Sequence, residues 1–270
     1  MQITGHRKGF LAVVVVAAVV ALVAVVVPTG PAVAAGAGRI GPGTQVVAGG
    51  RTCTAGFVFR DAQHRVFVGY AASCATRSAA TGSNPCSARS LALGTKVRFA
   101  DRGHTVGYGK LRYSSLRAMR RAGITDGATC AANDFALVEV SGATRRKLDS
   151  TVPYWGGPSG LGALPSSGAT VFGLARASGG ARTLPRAGTV TATSERTASV
   201  TTLLSSSRAA RGSGFLDGSG RAVGLLTAST AAGVNTVVSL AAVVDYARHH
   251  GVAGLRVVRG HETFSGSAIL

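Results

Sequence analysis

The chain has few charged side chains and little of the patterning that is typical of amphipathic helices. Only 14% of its 270 residues are charged while 46% are hydrophobic, which is ample for a folded core. A convincing helical pattern is confined to the last third, which argues against a helical bundle. Glycine is abundant, at 38 residues, and with Val, Thr, Ser and Ala it favours many short strands joined by turns.

The four cysteines contain no C-x-x-C pair, the spacing that zinc sites commonly use. The motifs G-x-S-x-G, S-x-x-K and H-E-x-x-H are also absent. The sequence therefore predicts neither a metal site nor a bound cofactor. An even number of cysteines in an exported chain indicates two disulfides, for which three pairings are open. The cysteines are Cys53, Cys74, Cys86 and Cys130.

No hydrophobic run after residue 34 is long enough to cross a membrane, whereas residues 10–27 are uninterrupted apolar sequence. A positively charged start precedes this run, and Ala32-Val33-Ala34 follows it at the spacing that a signal peptidase accepts. We therefore expect a signal peptide that is cleaved after Ala34 and a secreted mature protein. The alternative is a retained membrane anchor over residues 10–27, with the rest of the chain facing outside.

Acidic residues are scarce, since 10 Asp and Glu stand against 29 Lys and Arg, for a formal net charge of +19. Loss of residues 1–34 would leave +17. Two explanations are open: a genome whose codon usage favours arginine, or attraction to polyanions such as anionic polymers of the cell envelope. No aromatic RNA-binding motif accompanies the basic residues, so no specific nucleic-acid partner is predicted.

Hydrophobic alternation predicts two groups of about six strands. Phe57-Val58-Phe59 and Val66-Phe67-Val68 flank a polar stretch and predict a hairpin in the first group. Three of the chain's eight prolines fall within residues 152–168, as expected of a link between domains. In the second group, Ser239 is a predicted N-cap for a helix over residues 240–250, which Gly251 ends at the C′ position.

These patterns divide the chain into five parts. The expected parts are the signal peptide or anchor (1–34), a flexible lead (35–45), a first β-barrel (46–150), a second β-barrel with the C-terminal helix (151–258) and a tail (259–270).

Two segments of the first group carry specific motifs. Tyr70-Ala71-Ala72-Ser73-Cys74 is similar to T/Q-A-A-H-C, with Ser73 at the position of a catalytic histidine. Asn133-Asp134-Phe135-Ala136-Leu137-Val138 resembles N-D-[FILY]-A-L-V, with Asp134 at the position of the aspartate that orients this histidine. Both motifs belong to the trypsin/chymotrypsin-like serine proteases of the secreted actinobacterial type, which the chain therefore resembles.

A third segment extends the resemblance into the second group. Ala209-Ala210-Arg211-Gly212-Ser213-Gly214-Phe215-Leu216-Asp217 is similar to the family's G-D-S-G-S-G-x-L-D. Without gaps, Arg211 takes the position of the nucleophilic serine and Ala209 that of the oxyanion-hole glycine. A register that deletes two residues makes Ser213 the alternative nucleophile.

The resemblance covers about residues 46–258 and implies an all-β fold of two six-stranded antiparallel β-barrels, chymotrypsin-like, with a C-terminal helix. It also implies the pairings Cys53–Cys74 and Cys86–Cys130.

The residues at these positions predict a degenerate triad. A serine hydroxyl needs a positioned base, and Ser73 is no better a base than the hydroxyl it would activate. Arg211 stays protonated and cannot act as a nucleophile. Asp134 is the retained member, and we expect it either to accept hydrogen bonds from Ser73 or nearby backbone or to form an ion pair with Arg211. Four histidines of the mature chain that could replace the missing base are instead predicted at the surface: His64, His104, His249 and His250.

Three functions follow as hypotheses. The first is an exported monomeric pseudoprotease whose old cleft binds an extended peptide or a protein. The second is an active serine endopeptidase that uses Ser213 with an unconventional base. The third is a basic protein that binds anionic envelope polymers.

Overall fold

The computed structural model of the protein describes Gln2 and residues 38–77, 84–176, 183–203 and 206–266. Apart from Gln2, the expected signal segment lies outside the described residues, as do residues 35–37 of the lead and 267–270 of the tail. Among the helices in the described part, none is long and apolar enough to cross a membrane.

Antiparallel strands dominate the described residues. Before the proline-rich link they are β1 (Gln45–Ala48), β2 (Arg51–Thr54), β3 (Val58–Arg60), β4 (Val66–Tyr70), β5 (Lys96–Asp101), β6 (His104–Ser114) and β7 (Ala136–Val140). After it they are β8 (Thr170–Arg176), β9 (Thr183–Thr193), β10 (Thr197–Thr202), β11 (Gly214–Leu216), β12 (Ala222–Ser229), β13 (Val234–Ser239) and β14 (Arg256–Val257). The α-helices are α1 (Ser115–Arg121), α2 (Gly127–Ala131), α3 (Gly142–Arg145) and α4 (Leu240–His249).

The strands form two sheets, one of which closes on itself. The second sheet is a closed six-stranded barrel in the order β10-β13-β12-β11-β8-β9. The first runs β14-β3-β4-β7-β6-β5-β1-β2 and so has eight strands. The expected all-β, two-barrel class with a C-terminal helix is confirmed, with six strands in the second half as expected and eight instead of six in the first, where β14 from the end of the chain pairs with β3. The predicted hairpin is present as β3 paired with β4, with Val58 opposite Val68.

Apolar side chains form a cluster inside each sheet and a further one between the sheets. The cluster of the first sheet includes Val68 and Phe99, and that of the second barrel includes Val190. The cluster between them joins Phe57 of the first half to Leu225 of the second and also takes in the buried face of α4. The two halves are therefore held against each other mainly by apolar burial, the largest favourable contribution to folding.

The last helix forms where its end signals predict. The Ser239 side chain accepts a hydrogen bond from the Ala242 amide at 3.3 Å, which supplies the expected N-cap. The buried residues repeat at helical spacing, and Gly251 follows the helix with φ +136°. The N-cap and the C′ glycine are thus confirmed. The buried residues of the helix are Leu240, Val243, Val244 and Ala247.

The expected flexible lead is corrected by the structure over residues 38–45. Ile40 is fully buried, its amide donates to the Lys147 carbonyl at 2.9 Å, and its carbonyl accepts from the Asp149 amide at 2.9 Å. β1 then begins at Gln45. The physical reason is burial of the Ile40 side chain, which a free lead would leave in water.

The C-terminal boundary is corrected as well. Arg256 and Val257, expected in the second barrel, form β14 and pair with Arg60 and Phe59 of the first sheet. Part of the expected tail also packs: the Phe264 ring lies 5.3 Å from that of Phe172, edge to face. Strand pairing and aromatic burial therefore hold residues 256–266 against both halves of the molecule.

The contact between the halves leaves no room for a side chain at Gly56. A Cβ there would lie 2.3 Å from Cδ2 of Leu225 and 2.6 Å from the carbonyl oxygen of Gly212. Because backbone cannot move aside cheaply, we expect Gly56→Ala to lower the free energy of unfolding by about 2 kcal/mol in urea titrations. Gly218→Ala is the matched control, since a Cβ there meets nothing within 4 Å. Equal stability of the two variants would contradict this packing.

Candidate functional site: the cleft between the barrels

The three positions that the motifs single out lie on one cleft. Ser73 is in the 3-10 turn Ala72–Cys74 after β4, Asp134 lies two residues before β7, and Arg211 follows the 3-10 turn before β11. All three line a cavity of about 1050 Å³ whose walls come from both halves of the chain. The fold therefore brings these three residues, which are far apart in the sequence, to one site.

Ser73 and Asp134 are joined by two hydrogen bonds. The Ser73 amide donates to Oδ1 of Asp134 at 2.6 Å, and the Ser73 hydroxyl donates to Oδ2 at 2.7 Å. Asp134 is buried, with 3% of its surface exposed. Burial raises the pKa of the Asp134 carboxyl, while the Ser73 hydrogen bonds and the charge of Arg211 oppose this rise without cancelling it.

Arg211 is half-buried and acts on Asp134 from a distance. Within the described residues no ion pair of 4.0 Å or less joins the two side chains. The positive charge of Arg211 nevertheless favours the carboxylate form, and so it reduces the rise in the pKa of Asp134 that burial causes. Of the two arrangements expected for Asp134, the hydrogen bonds with Ser73 are therefore the direct contact, and Arg211 contributes a longer-range attraction.

The backbone around Arg211 uses its own amide groups internally. The Arg211 amide donates to the Arg208 carbonyl at 3.2 Å, and the Ala210 amide donates to Ser207 at 2.9 Å. An oxyanion hole needs amide N–H groups that point at the reacting oxygen and are free to bind it. In this conformation the amide at the serine position is committed to a 3-10 turn and does not meet that requirement.

Gly212 is the residue of this segment that must be glycine. Its φ is +90°, and a Cβ would lie 2.4 Å from the carbonyl oxygen of Thr54. Its amide donates to the Leu226 carbonyl at 2.7 Å. The segment is therefore pressed against β2 on one side and bonded to β12 on the other.

Ser213, the alternative nucleophile, is 1% exposed and is not among the residues that line the cleft. Its hydroxyl has no hydrogen-bond partner within the described part of the chain. No histidine there contacts it, so the geometry supplies no base for this residue.

The histidines that the structure describes lie away from the cleft lining. His64 is in the β3–β4 turn with φ +61°, and His104 is the first residue of β6. His249 and His250 end α4 and are exposed. His261 belongs to no motif, and its Nδ1 lies 2.8 Å from the Thr151 hydroxyl and 3.6 Å from Oδ1 of Asp149.

Both expected disulfides are present. Cys53 is bonded to Cys74 and Cys86 to Cys130. The first attaches the turn that carries Ser73 to β2. The second attaches α2, which precedes Asp134, to the 3-10 turn at Pro85–Ser87. Among the described residues, no group of three or more His, Cys, Asp or Glu is placed to hold a metal ion.

Sequence reasoning missed the arginines of the cleft other than Arg211. Arg51 at the start of β2, Arg196 in the β9–β10 turn and Arg208 also line the cavity. They are far apart in sequence and belong to no motif, so no spacing rule could have grouped them.

Ionisation of Asp134 should make the protein less stable as pH rises. Its pKa is raised in the folded state, so its stabilising contribution is complete below the unfolded-state pKa of about 3.9 and is lost as pH climbs through the folded-state value. We expect wild type to lose stability relative to Asp134→Asn over that range, as urea unfolding at stepped pH would measure.

Asp126→Asn is the control, because the contribution of Asp126 to stability should change with pH in the opposite direction. Hydrogen bonds from Thr129 lower the pKa of the exposed Asp126 carboxyl, so its contribution is lost as pH falls. A stability of wild type that rises with pH relative to Asp134→Asn would contradict the raised pKa.

Removal of the Ser213 hydroxyl should not harm the fold. A buried hydroxyl without a partner costs free energy, so Ser213→Ala is expected to raise the free energy of unfolding by about 1 kcal/mol. Thermal and urea unfolding would measure this, with Ser115→Ala as comparison. Ser115 is also buried, but its hydroxyl bonds the Asn133 carbonyl and the Phe135 amide, so its loss should destabilise. Strong destabilisation by Ser213→Ala would show that its hydroxyl is satisfied.

Solved structures of bacterial proteases are similar to this chain in fold. Thermobifida fusca Protease A matches with a TM-score of 0.52 at 15% identity, over 82% of this chain and 100% of its own. A Glu endopeptidase matches with a TM-score of 0.54 at 18% identity, over 80% and 93%. A glutamic-acid-specific serine protease with a histidine triad in substrate binding matches with a TM-score of 0.52 at 17% identity, over 81% and 100%.

No protein-family model and no curated protein matches the sequence. At these identities the structural likeness establishes the fold. The chain has the two-barrel fold of bacterial chymotrypsin-like serine proteases.

Proposed function

We propose that this chain is an exported pseudoprotease, a monomer that binds an extended peptide or protein segment in the cleft between its barrels and does not hydrolyse it. The observation that carries the proposal is the pair of hydrogen bonds by which Ser73 satisfies Asp134 at the place where a catalytic base would stand.

The chemistry of the cleft supports loss of hydrolysis. A serine nucleophile needs a base within hydrogen-bond reach, and no described histidine lines the cavity. Arg211 carries only donors and cannot attack a carbonyl. In enzymes of this mechanism, loss of triad members lowers the rate by about four to six powers of ten.

The wall of the cleft supports peptide binding. Beyond Leu226, which bonds to Gly212 and Ser213, β12 pairs on one side only, with β13. Residues 227–229 thus present a strand edge within the described part of the chain, and Thr227 and Ala228 line the cavity. An extended peptide can add to such an edge through main-chain hydrogen bonds.

Export is supported by the two disulfides, which form and persist in oxidising compartments. The apolar run of residues 10–27 and the Ala32-Val33-Ala34 site supply the export signal in this proposal.

The test is treatment of the purified mature chain with a fluorophosphonate, beside Thermobifida fusca Protease A as the active reference. We expect no covalent adduct and no cleavage of a peptide library, because no residue of the cleft activates a serine. Mass spectrometry of the intact protein measures the adduct.

Ser213→Ala is the matched control for this test. An adduct at Ser213 that disappears in this variant would overturn the proposal and establish an active hydrolase with an unconventional base. Binding to anionic envelope polymers that collapses with salt, in the absence of any peptide binding, would instead favour a basic polymer-binding protein.

A further inference from the structure

Four of the residues that line the cleft carry a guanidinium group without a direct partner. Within the described part of the chain, none of the four donates a side-chain hydrogen bond or forms an ion pair. Arg211 is distinguished from the others by its longer-range attraction to Asp134. These residues, called the cleft arginines below, are Arg51, Arg196, Arg208 and Arg211.

The acidic residues of the cleft do not neutralise these charges. Among the described residues, the acidic side chains that line the cavity beside the four cations are Asp134 and Glu195. Asp134 is buried and already accepts both Ser73 hydrogen bonds. Glu195 is exposed and makes no ion pair with a described residue. The cleft therefore has an excess of positive charge, and every guanidinium fork in it is free to bind.

A fifth cation is buried in the second barrel, which supplies part of the cleft lining. Arg186 on β9 is 4% exposed, and its Nε and Nη2 have no hydrogen-bond partner among the described residues. Its guanidinium lies 4.8 Å above the Phe215 ring, and Nη1 bonds the Ser206 hydroxyl and the Asn235 side chain.

Arg186 keeps its charge at neutral pH, because burial lowers its pKa only to about 10. Asn235 directly precedes Thr236, which lines the cavity. The field of a buried charge is screened less by solvent than that of a surface charge, so Arg186 adds to the positive potential of the second barrel.

From this arrangement we propose that the cleft selects acidic peptides, whose carboxylates are bound by the cleft arginines. The guanidinium forks match carboxylate groups in bidentate geometry. The strand edge at residues 227–229 would align the peptide backbone. In this role Arg211, at the serine position, is a ligand-binding residue.

The shape of the cleft favours a peptide over a phosphate polymer as the occupant. Its volume of about 1050 Å³ is at the upper end of small-molecule pockets, about 300–1000 Å³, and accommodates a short extended segment. A strand edge offers main-chain N–H and C=O groups. A peptide can pair with both along its own backbone, whereas a polymer without amide groups cannot form this pattern of hydrogen bonds.

This inference rests on the proposed peptide-binding function, and the experiment separates the two. Fluorescence anisotropy would measure binding of a short fluorescein-labelled peptide with two glutamates, beside matched peptides with glutamines and with lysines. We expect the glutamate peptide to bind at least about tenfold more tightly than the glutamine peptide, and this preference to shrink with added salt.

Single substitutions test whether the cleft arginines cause the preference for the glutamate peptide. Arg211→Gln and Arg208→Gln should each weaken binding of the glutamate peptide about tenfold. Arg145→Gln, an exposed arginine of α3 outside the cleft, removes the same charge and should leave binding unchanged. Arg211→Glu should shift the preference towards the lysine peptide. Thermal unfolding of each variant checks that it is folded.

Each unexpected result would contradict a different part of the proposal. If wild type binds the glutamate and glutamine peptides equally, selection for acid is overturned while peptide binding stands. If folded wild type binds none of the peptides, the proposed function itself is overturned. If Arg145→Gln weakens binding as much as Arg211→Gln, the attraction is general and the cleft assignment is wrong. If poly(glycerol phosphate) binds in the cleft in preference to the glutamate peptide, the ligand class is wrong.

Discussion

Thr54 on β2 ties the two halves of the molecule together at the cleft. Its amide donates to the Arg211 carbonyl at 2.8 Å and its hydroxyl to the Ala209 carbonyl at 2.7 Å. The adjacent Cys53 is bonded to Cys74, which follows Ser73 in the other wall. Strand β2 is therefore attached both to the turn that contains Ser73 and to the segment that contains Arg211. The relative placement of Ser73 and Arg211 depends on this strand rather than on any contact between them.

Asp134 shows how a single serine can satisfy a buried carboxyl group in this cleft. A buried carboxylate needs donors, and Ser73 supplies two from a single residue, its amide and its hydroxyl. Asp134 therefore has direct partners although no described histidine lines the cleft. If the protein is a pseudoprotease, as proposed, these two hydrogen bonds would keep the site folded without a catalytic base.

The sequence was most informative where the signal is local or carried by a motif. The β3–β4 hairpin and helix α4 follow from alternation and end signals, and the disulfide pairing from the resemblance. Ile40 and Phe264 were missed because a single apolar residue in a glycine- and serine-rich stretch has no periodicity to detect. The grouping of Arg51 with Arg208 also escaped prediction, because only the packing of two sheets brings them to one cavity.

The pairing of β3 with β14 constrains when the molecule can become complete. Phe59 and Val257 lie far apart in the described chain, so their pairing closes a loop that contains most of it, at a cost in chain entropy. Such a distant pairing slows folding, since the entropy of closure is lost before the contact is gained. A chain that threads through a membrane from its N-terminus would therefore leave this edge of the first sheet open until β14 has followed. The first sheet would gain its last strand only after Arg256 and Val257 have crossed the membrane.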